Sequence, residues 1–499
     1  MGPSPGGEAL RALRRRAGGA RRALTRAVGL RAGAGGSRAE AVLAALDAGV
    51  LPPGPDEVTE AVAACAAEAD AALARSGPAS AAGPLARAAA IAFHRTLHFD
   101  GTSSPLVDSS NAFMQPLLGS TAWTRATRPL PPRRQPPAAA PTDRPHRLLL
   151  VTLKNWKFLE PVAAQYTGRP GVEVRRLDLA DLPGLPLSPL QQLRLRLTGP
   201  DDARSLPWAR PLADAVDGAD TVFLDWLQRG AVLLSALDPG RARVIVRLHS
   251  FEAFTVFPHL VGYDRVDDLV VVGPHLGRLL DHLVPEAAAP RRHVLANLAD
   301  LQRFARPKPD DARFTLAVVG YGVVAKDPLW AVETLALLRR HDRRYRLLLV
   351  GEDLDPAGPA GAAGYRRRLE ERLAAPDVAG AVERVPFTPD VPDLLRRVGV
   401  VVSSSVRESF HLGLVEGAAS GAVPVVRDWP LFAAVGGPQD LFPADWVTPE
   451  PAAAAARVLA LTADVATWRA AGAAAAGWVR DRYDARTTQP SYDDLLLGR

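Results

Sequence analysis

Residues 398–428 read VGVVVSSSVRESFHLGLVEGAASGAVPVVRD. The segment opens on an apolar, β-branched run ending in three serines and closes on a second one, AVPVVRD (422–428). Short runs of this kind predict strands, and the Leu-, Ala- and Gly-rich stretch between them predicts a helix beginning near His411. Strand, turn, helix and strand in succession make the repeating unit of a parallel sheet covered on both faces. Glu408 then falls in the turn and Glu416 in the first turns of the helix. Free amides of Phe410, His411 and Leu412 at the helix start attract an anion, phosphate above all. Carboxylates are poor phosphate ligands but good acceptors for sugar hydroxyls. A nucleotide sugar, with a diphosphate between two polyhydroxyl groups, would use all three features. An ordinary capped helix with acids near its positive end is the competing reading.

The same alternation extends to both sides. RLLLVTL (147–153), VEVRRLDL (173–180), TVFLDW (221–226), RVIVRLHS (243–250), DLVVVG (268–273) and HVLAN (293–297) form one set of strand signals. After RPKPDD (306–311) come FTLAVVG (314–320), YRLLLVGED (345–353), VERVPF (382–387), VGVVVSSS (398–405) and AVPVVRD. The expectation is an α/β protein of two doubly wound domains, 147–305 and 306–478, whose strand ends face one cleft. Residues 479–499 form a C-terminal segment that can cross back to the first domain. Upstream, ATRPLPPRRQPPAAAPTDRPH (126–146) predicts an extended linker. Residues 37–125 predict an accessory helical region, with helices at about 38–48, 56–76 and 84–98.

Composition narrows the chemistry. At 499 residues, 47% hydrophobic and 23% charged, the chain is a multi-domain globular protein by its numbers. Its one cysteine, Cys65, excludes an intramolecular disulfide framework and Cys-rich metal sites, and suits a reducing compartment. No run predicts a membrane span and no secretory signal is read, so the expected location is cytoplasmic. Residues 1–36 hold eight arginines and one acid, Glu8, against a net charge of +6 for the whole chain. The body is therefore near neutral, and no nucleic-acid partner is expected. Leu10, Leu13, Ala17, Ala20, Leu24 and Val28 give the tail a basic amphipathic pattern. It reads as a peripheral contact with the inner face of the membrane, or as a disordered basic tail. The scattered histidines, the absence of HEXXH and the lack of a recognised metal-binding Asp-X-Asp predict no intrinsic metal or cofactor.

SSSVRESFHLGLVEGAASGAVPVV (403–426), VLANLADLQRF (294–304), LLLVGED (347–353) and VPFTPDVPDLL (385–395) occur in the order found in one family. Across residues 146–499 the chain resembles retaining GT-B glycosyltransferases of family four (group one), of the actinobacterial envelope or capsule polysaccharide type. That resemblance implies that Glu408 binds hydroxyls of the transferred sugar and Glu416 the ribose. The backbone at Phe410, His411 and Leu412 would cradle the distal phosphate, and Pro386 and Phe387 lie where the base is read. Lys326, in VVGYGVVAKDP (318–328) beside Gly320 and Gly322, would supply charge to the leaving diphosphate. His249 would sit by the transferred sugar, with Lys154, Asn155, Asp225, Glu252 and Asn297 as further cleft residues. Three departures stand out. Tyr321 replaces an arginine, with Arg407 as the expected substitute charge; Lys154 and Asn155 stand where relatives carry glycines; and Leu298 replaces a glycine. The implied activity is retaining transfer of a sugar from a nucleoside-diphosphate sugar to a glycan or lipid-linked acceptor. A non-catalytic sugar-nucleotide-binding scaffold, or another GT-B enzyme such as an epimerase or phosphorylase, are the alternatives.

Overall fold

The computed structural model describes residues 37–52, 54–99, 101–199, 204–355 and 360–498. The basic tail, 1–36, lies outside the described residues. Two six-stranded parallel sheets follow the accessory helices. The first comprises β1 (His146–Thr152), β2 (Val172–Asp178), β3 (Thr221–Asp225), β4 (Arg243–Leu248), β5 (Asp268–Val271) and β6 (Arg291–Val294), in the order β2-β1-β3-β4-β5-β6. The second comprises β7 (Thr315–Val319), β8 (Arg346–Val350), β9 (Val382–Val385), β10 (Val400–Ser403), β11 (Val423–Arg427) and β12 (Val447–Thr448), in the order β12-β11-β10-β7-β8-β9.

Burial explains why these strands were readable. β1, β3, β4, β7, β8, β10 and β11 have helices on both faces, so nearly every side chain along them is apolar and buried. The outer strands β2 (VEVRRLD) and β9 (VERV) alternate and carry charge, as strands with a solvated side do. In each sheet the order of construction reverses once, between β1 and β3 and between β7 and β10. Ligands of such sheets bind in the crevice outside the strand ends at that reversal. The loop after β4 meets the loop after β10 across the domain boundary, through Ser250 and Ser409.

The C-terminal chain spans both domains. Helix Val465–Tyr483 packs on the second sheet, and helix Ala485–Leu497 returns to the first. There Tyr492, Leu495, Leu496 and Leu497 enter the core made by Leu148, Leu150, Phe223 and Ile245. Asp493 accepts from Tyr166 (2.8 Å) and from both Arg169 nitrogens (2.5 and 2.8 Å).

The accessory region departs from expectation in two places. Its third helix is Pro78–Ala92 and starts six residues before the expected position, running through Pro84. Gly77, at φ +82°, ends the helix before it, and Pro78 takes the first helical position, where a missing N–H costs nothing. The proline-rich linker is also no free spacer. Arg133 bonds Asp267 (2.5 Å) and the carbonyls of Gly240 (3.0 Å) and Ala242 (2.8 Å), while Ala138 N–H donates to Arg241 O (2.9 Å). The accessory helices are buried against the first domain as well, with the rings of Phe93 and Trp123 packed at a tilt against His259 (5.2 and 5.4 Å). Among the described residues no helix is long and apolar enough to cross a membrane.

Helix Leu412–Ala419 lies close enough to β10 that a Cβ on Gly417 would stand 2.5 Å from Val401 Cγ2 and 2.7 Å from its Cβ. Neither atom belongs to a flexible side-chain end. Gly417→Ala is therefore expected to lower stability by about 1–3 kcal/mol, as overpacking does, measured by urea denaturation. An unchanged midpoint would mean that the helix does not sit on β10 in solution.

Candidate active site

The chain leaves β10 at Ser403 and reaches the helix at Leu412 through a loop without regular structure, so its polar groups need other partners. The loop after β7 provides several. Val406 N–H donates to Ala325 O (2.9 Å), and Ser404 Oγ donates to Lys326 O (2.6 Å). His411, at φ +60°, is the residue before the helix. A non-glycine side chain in this left-handed region is strained. Here it is held by a bond between His411 Nδ1 and Ser403 Oγ (2.7 Å). The amides opening the helix have no intrahelical acceptors. Gly322, in the β7 loop, is needed for a close approach: a Cβ there would meet Glu352 O at 2.3 Å.

Glu408 stands at the centre. Its carboxylate accepts from Ser405 Oγ (2.6 Å) and forms an ion pair with Lys326, and His411 Nδ1 lies 3.8 Å away. Burial opposes ionisation, but the His411 ring, the Lys326 ammonium and the two hydrogen bonds outweigh it and push the carboxyl down to about 2. Burial also pushes His411 down to about 4, so at neutral pH the cation facing Glu408 is Lys326. The first domain grips the same loop. His275 Nε2 donates to the Glu408 carbonyl (3.0 Å), Ser250 N–H to Ser409 Oγ (3.0 Å), and Ser409 Oγ to Ser250 Oγ (2.8 Å).

Arg407 packs differently from the role expected of it. Its guanidinium lies over the rings of Phe99 (4.9 Å) and Phe254 (5.3 Å), joining the accessory region and the first domain. Tyr321 is buried beside Asp353 and Arg384, and burial raises its phenol to about 12. That position therefore holds a neutral ring. Asp353-Leu354-Asp355 is an Asp-X-Asp triplet that the sequence reading passed over. Asp353 faces Arg366 (3.8 Å) and Arg384 (3.9 Å), and among the described residues no group of three or more His, Cys, Asp or Glu side chains is placed to hold a metal.

Across the cleft, Asp225 Oδ1 accepts from Arg247 Nε (2.6 Å) and His249 Nε2 (3.0 Å), all three fully buried. Burial disfavours the Asp225 charge, yet Arg247 and His249 hold its carboxyl well below the usual range. Burial lowers His249, keeping it neutral. With its Nε2–H on Asp225, Nδ1 is left as an acceptor. Phe158 stacks on the ring (4.8 Å) and Trp226 packs against it at a tilt (4.2 Å). Glu252 accepts from His249 N–H (3.0 Å), and burial pushes it up to about 8, so it is protonated at neutral pH and supports the turn. Lys154 adopts φ +62°, the conformation glycine favours, with its N–H on Asp178 (3.0 Å); Asn155 accepts from Trp226 Nε1 (3.2 Å) through its carbonyl.

Glu416 is half-buried, and its carboxyl makes no hydrogen bond or ion pair among the described residues. Burial raises its carboxyl to about 7, against the opposing charges of Arg303 and Lys157. Asn297 is buried with Oδ1 unpartnered, and Phe387, beside Pro386 after β9, is 78% exposed. Sequence reasoning missed Lys157, Arg303, His275, Ser405 and Ser409. Only Lys157 carried a usable signal, since the chain has just four lysines.

Residues 313–464 match the family described as "Glycosyl transferases group 1". The GDP-mannose:cellobiosyl-diphosphopolyprenol alpha-mannosyltransferase of Xanthomonas oryzae pv. oryzae (strain PXO99A) is 26% identical over 261 residues, which cover 48% of this chain and 64% of that protein. The Anabaena protein HepE, solved with UDP and glucose, superposes with a TM-score of 0.53 at 15% identity, over 71% of this chain and all of HepE. Sucrose-phosphate synthase from Thermosynechococcus elongatus gives 0.50 at 18% identity, over 71% of this chain and 100% of that one. The fold is GT-B: two facing Rossmann-like domains, here preceded by accessory helices.

The raised Glu416 carboxyl has a thermodynamic signature. Between about 4.5 and about 7 the folded state binds a proton that the unfolded chain releases, so stability falls as pH rises through that window. Glu416→Gln removes the dependence. The ligand-free variant is expected to melt on the order of 3 °C above wild type at pH 8 and level with it at pH 4. Identical melting at both pH values, by scanning calorimetry, would mean that the carboxyl is fully hydrated.

Proposed function

We propose that the protein is a retaining glycosyltransferase that moves a sugar from a nucleoside-diphosphate sugar to an acceptor hydroxyl, in the synthesis of a cell-envelope or capsule glycan. The observation that carries this reading is the Lys326–Glu408–Ser405 cluster at a helix start on the cleft, with the unpartnered Glu416 along the same helix. Glu408 accepts hydroxyls of the transferred sugar, and Glu416 those of the ribose. The free protein already spends Lys326 on Glu408. When a donor enters, its diphosphate competes for the ammonium while sugar hydroxyls take over the carboxylate. No half-buried charge is left bare during that exchange.

Bond cleavage moves charge onto the diphosphate, where Lys326 and the first amides of helix Leu412–Ala419 stabilise it. The anomeric carbon gains oxocarbenium character. As the family resemblance implies, a leaving phosphate oxygen takes the acceptor proton on the same face, so no protein nucleophile is assigned. Neutral His249 offers Nδ1 to a hydroxyl of the transferred sugar. Enclosure between the domains excludes water and suppresses hydrolysis. Phe387, 78% exposed beyond β9, is available to a nucleotide base.

The mannosyltransferase similarity makes GDP-mannose the first donor to test and supports an acceptor carried on a lipid diphosphate. A peripheral membrane location, with residues 1–36 as the contact, fits such an acceptor. A sugar-nucleotide-binding scaffold is favoured by one observation, the buried tyrosine at position 321.

Release of GDP or UDP from GDP-mannose, UDP-glucose and UDP-N-acetylglucosamine, without acceptor, tests the proposal. One donor is expected to turn over slowly. Glu408→Gln should cut that rate about 100-fold, the scale of a lost transition-state contact, and Glu416→Gln should raise KM about tenfold with a smaller effect on kcat. Donor binding without turnover would favour the scaffold, and no binding at all would sink the reading.

A further inference from the structure

Resting on that reading, we infer that Lys157 of the first domain supplies the second positive charge to the donor's diphosphate. The need arises in the second domain. Lys326 is one cation for a doubly charged group, and it is shared with Glu408. The residue after Gly320, where a partner cation would be expected, is the buried Tyr321. Arg407 is committed to Phe99 and Phe254, and Arg427 to Asp327 (2.6 Å).

Lys157 lies on the loop after β1, at the reversal point of the first sheet. Its ammonium is 5.2 Å from the centroid of Phe158, whose ring stacks on His249 at 4.8 Å. The side chain is exposed and makes no hydrogen bond or ion pair among the described residues. Its charge nonetheless acts on two groups, His249 and Glu416. These mark the transferred-sugar end and the ribose end of the proposed donor, and what joins those ends is the diphosphate. On the loop at the reversal of the first sheet, beside the Phe158–His249 stack, Lys157 is placed to serve that middle from the first domain. Attraction is appreciable there because the cleft walls exclude part of the water that would screen it.

Arg303 also acts on Glu416, but it lies on the segment after β6, with its guanidinium over Phe304 (5.2 Å), and no hydrogen bond, ion pair or ring contact among the described residues joins it to the Phe158–His249 stack beside which Lys157 sits. Lys157 thus places one cation in each domain, with the diphosphate between them, and the donor itself draws the two domains together.

Isothermal titration of UDP, GDP, UMP and GMP into wild type, Lys157→Gln and Lys157→Arg tests the assignment without an acceptor. Lys157→Gln should weaken the preferred nucleoside diphosphate about tenfold, roughly 1.4 kcal/mol, and the matching monophosphate by about twofold or less. Lys157→Arg should restore most of the affinity, and the salt dependence of diphosphate binding should be shallower in Lys157→Gln than in wild type. Unchanged diphosphate affinity in Lys157→Gln overturns the inference alone, and would be the result if the lysine served a diphosphate on the acceptor. Equal losses for mono- and diphosphate also overturn it. Failure of wild type to bind any of the four nucleotides overturns the proposed function itself.

Discussion

The His275 hydrogen bond to the carbonyl of Glu408 crosses from one domain to the other at the residue on which the cleft turns. Burial pushes His275 down to about 4, so the imidazole stays neutral and directs one N–H at that carbonyl. Around it the same short loop is fixed from three further sides. Ser250 meets Ser409, the β7 loop meets Ser404 and Val406, and Phe99 covers Arg407. A loop with no regular structure of its own would otherwise leave its polar groups to water and its carboxylate free to wander. Position is conferred here by surroundings, and the Glu408 charge is stabilised because its surroundings are fixed first.

The accessory helices take part in this arrangement. Phe99 packs at a tilt against Phe251 of the first domain (5.0 Å) as well as lying under Arg407 of the second. Gly361 N–H donates to Gly49 O (3.1 Å), a second bridge between the accessory region and the far domain. His275 also packs against Trp429 (5.6 Å) and Phe432 (5.1 Å) of the second domain, and Arg278 pairs with Asp440. Two domains joined only by a linker are free to hinge. In this protein three units share one set of contacts, so any opening of the cleft must also disturb the aromatic seam under Arg407.

Much of the architecture could be read from residue order, because strands covered on both faces must be apolar along their length. The positions of Glu408 and Glu416 could be read for a related reason: a strand, a tight turn and a helix leave little freedom in where two acids fall. What escaped notice depends on distant pairing. Lys157 in a polar loop looks like any solvated lysine until Phe158 and His249 are placed beneath it. The linker looked free because prolines announce extension but say nothing of Arg133 reaching Asp267. Arg407 looked like a spare charge until two aromatic rings met it, and the third accessory helix was expected from about 84 although Pro78 opens it. Each error treats a local preference as final where packing decides.

The helix Ala485–Leu497 bears on the order in which this protein can acquire its shape. It fills the face of the first sheet, and Tyr492 hydrogen-bonds Arg247 (3.1 Å), which in turn holds Asp225 and through it His249. β1 is complete by residue 152, yet the side chain that closes this chain of contacts is synthesised some 340 residues later by position in the sequence. Until then that face of the first sheet is covered only in part, by Leu159, Val162 and Tyr166, while the whole second domain is being made. Contacts so far apart in the chain slow folding and lengthen the exposure of sticky intermediates. The first half of the cleft is thus the earlier to be translated and the later to be finished.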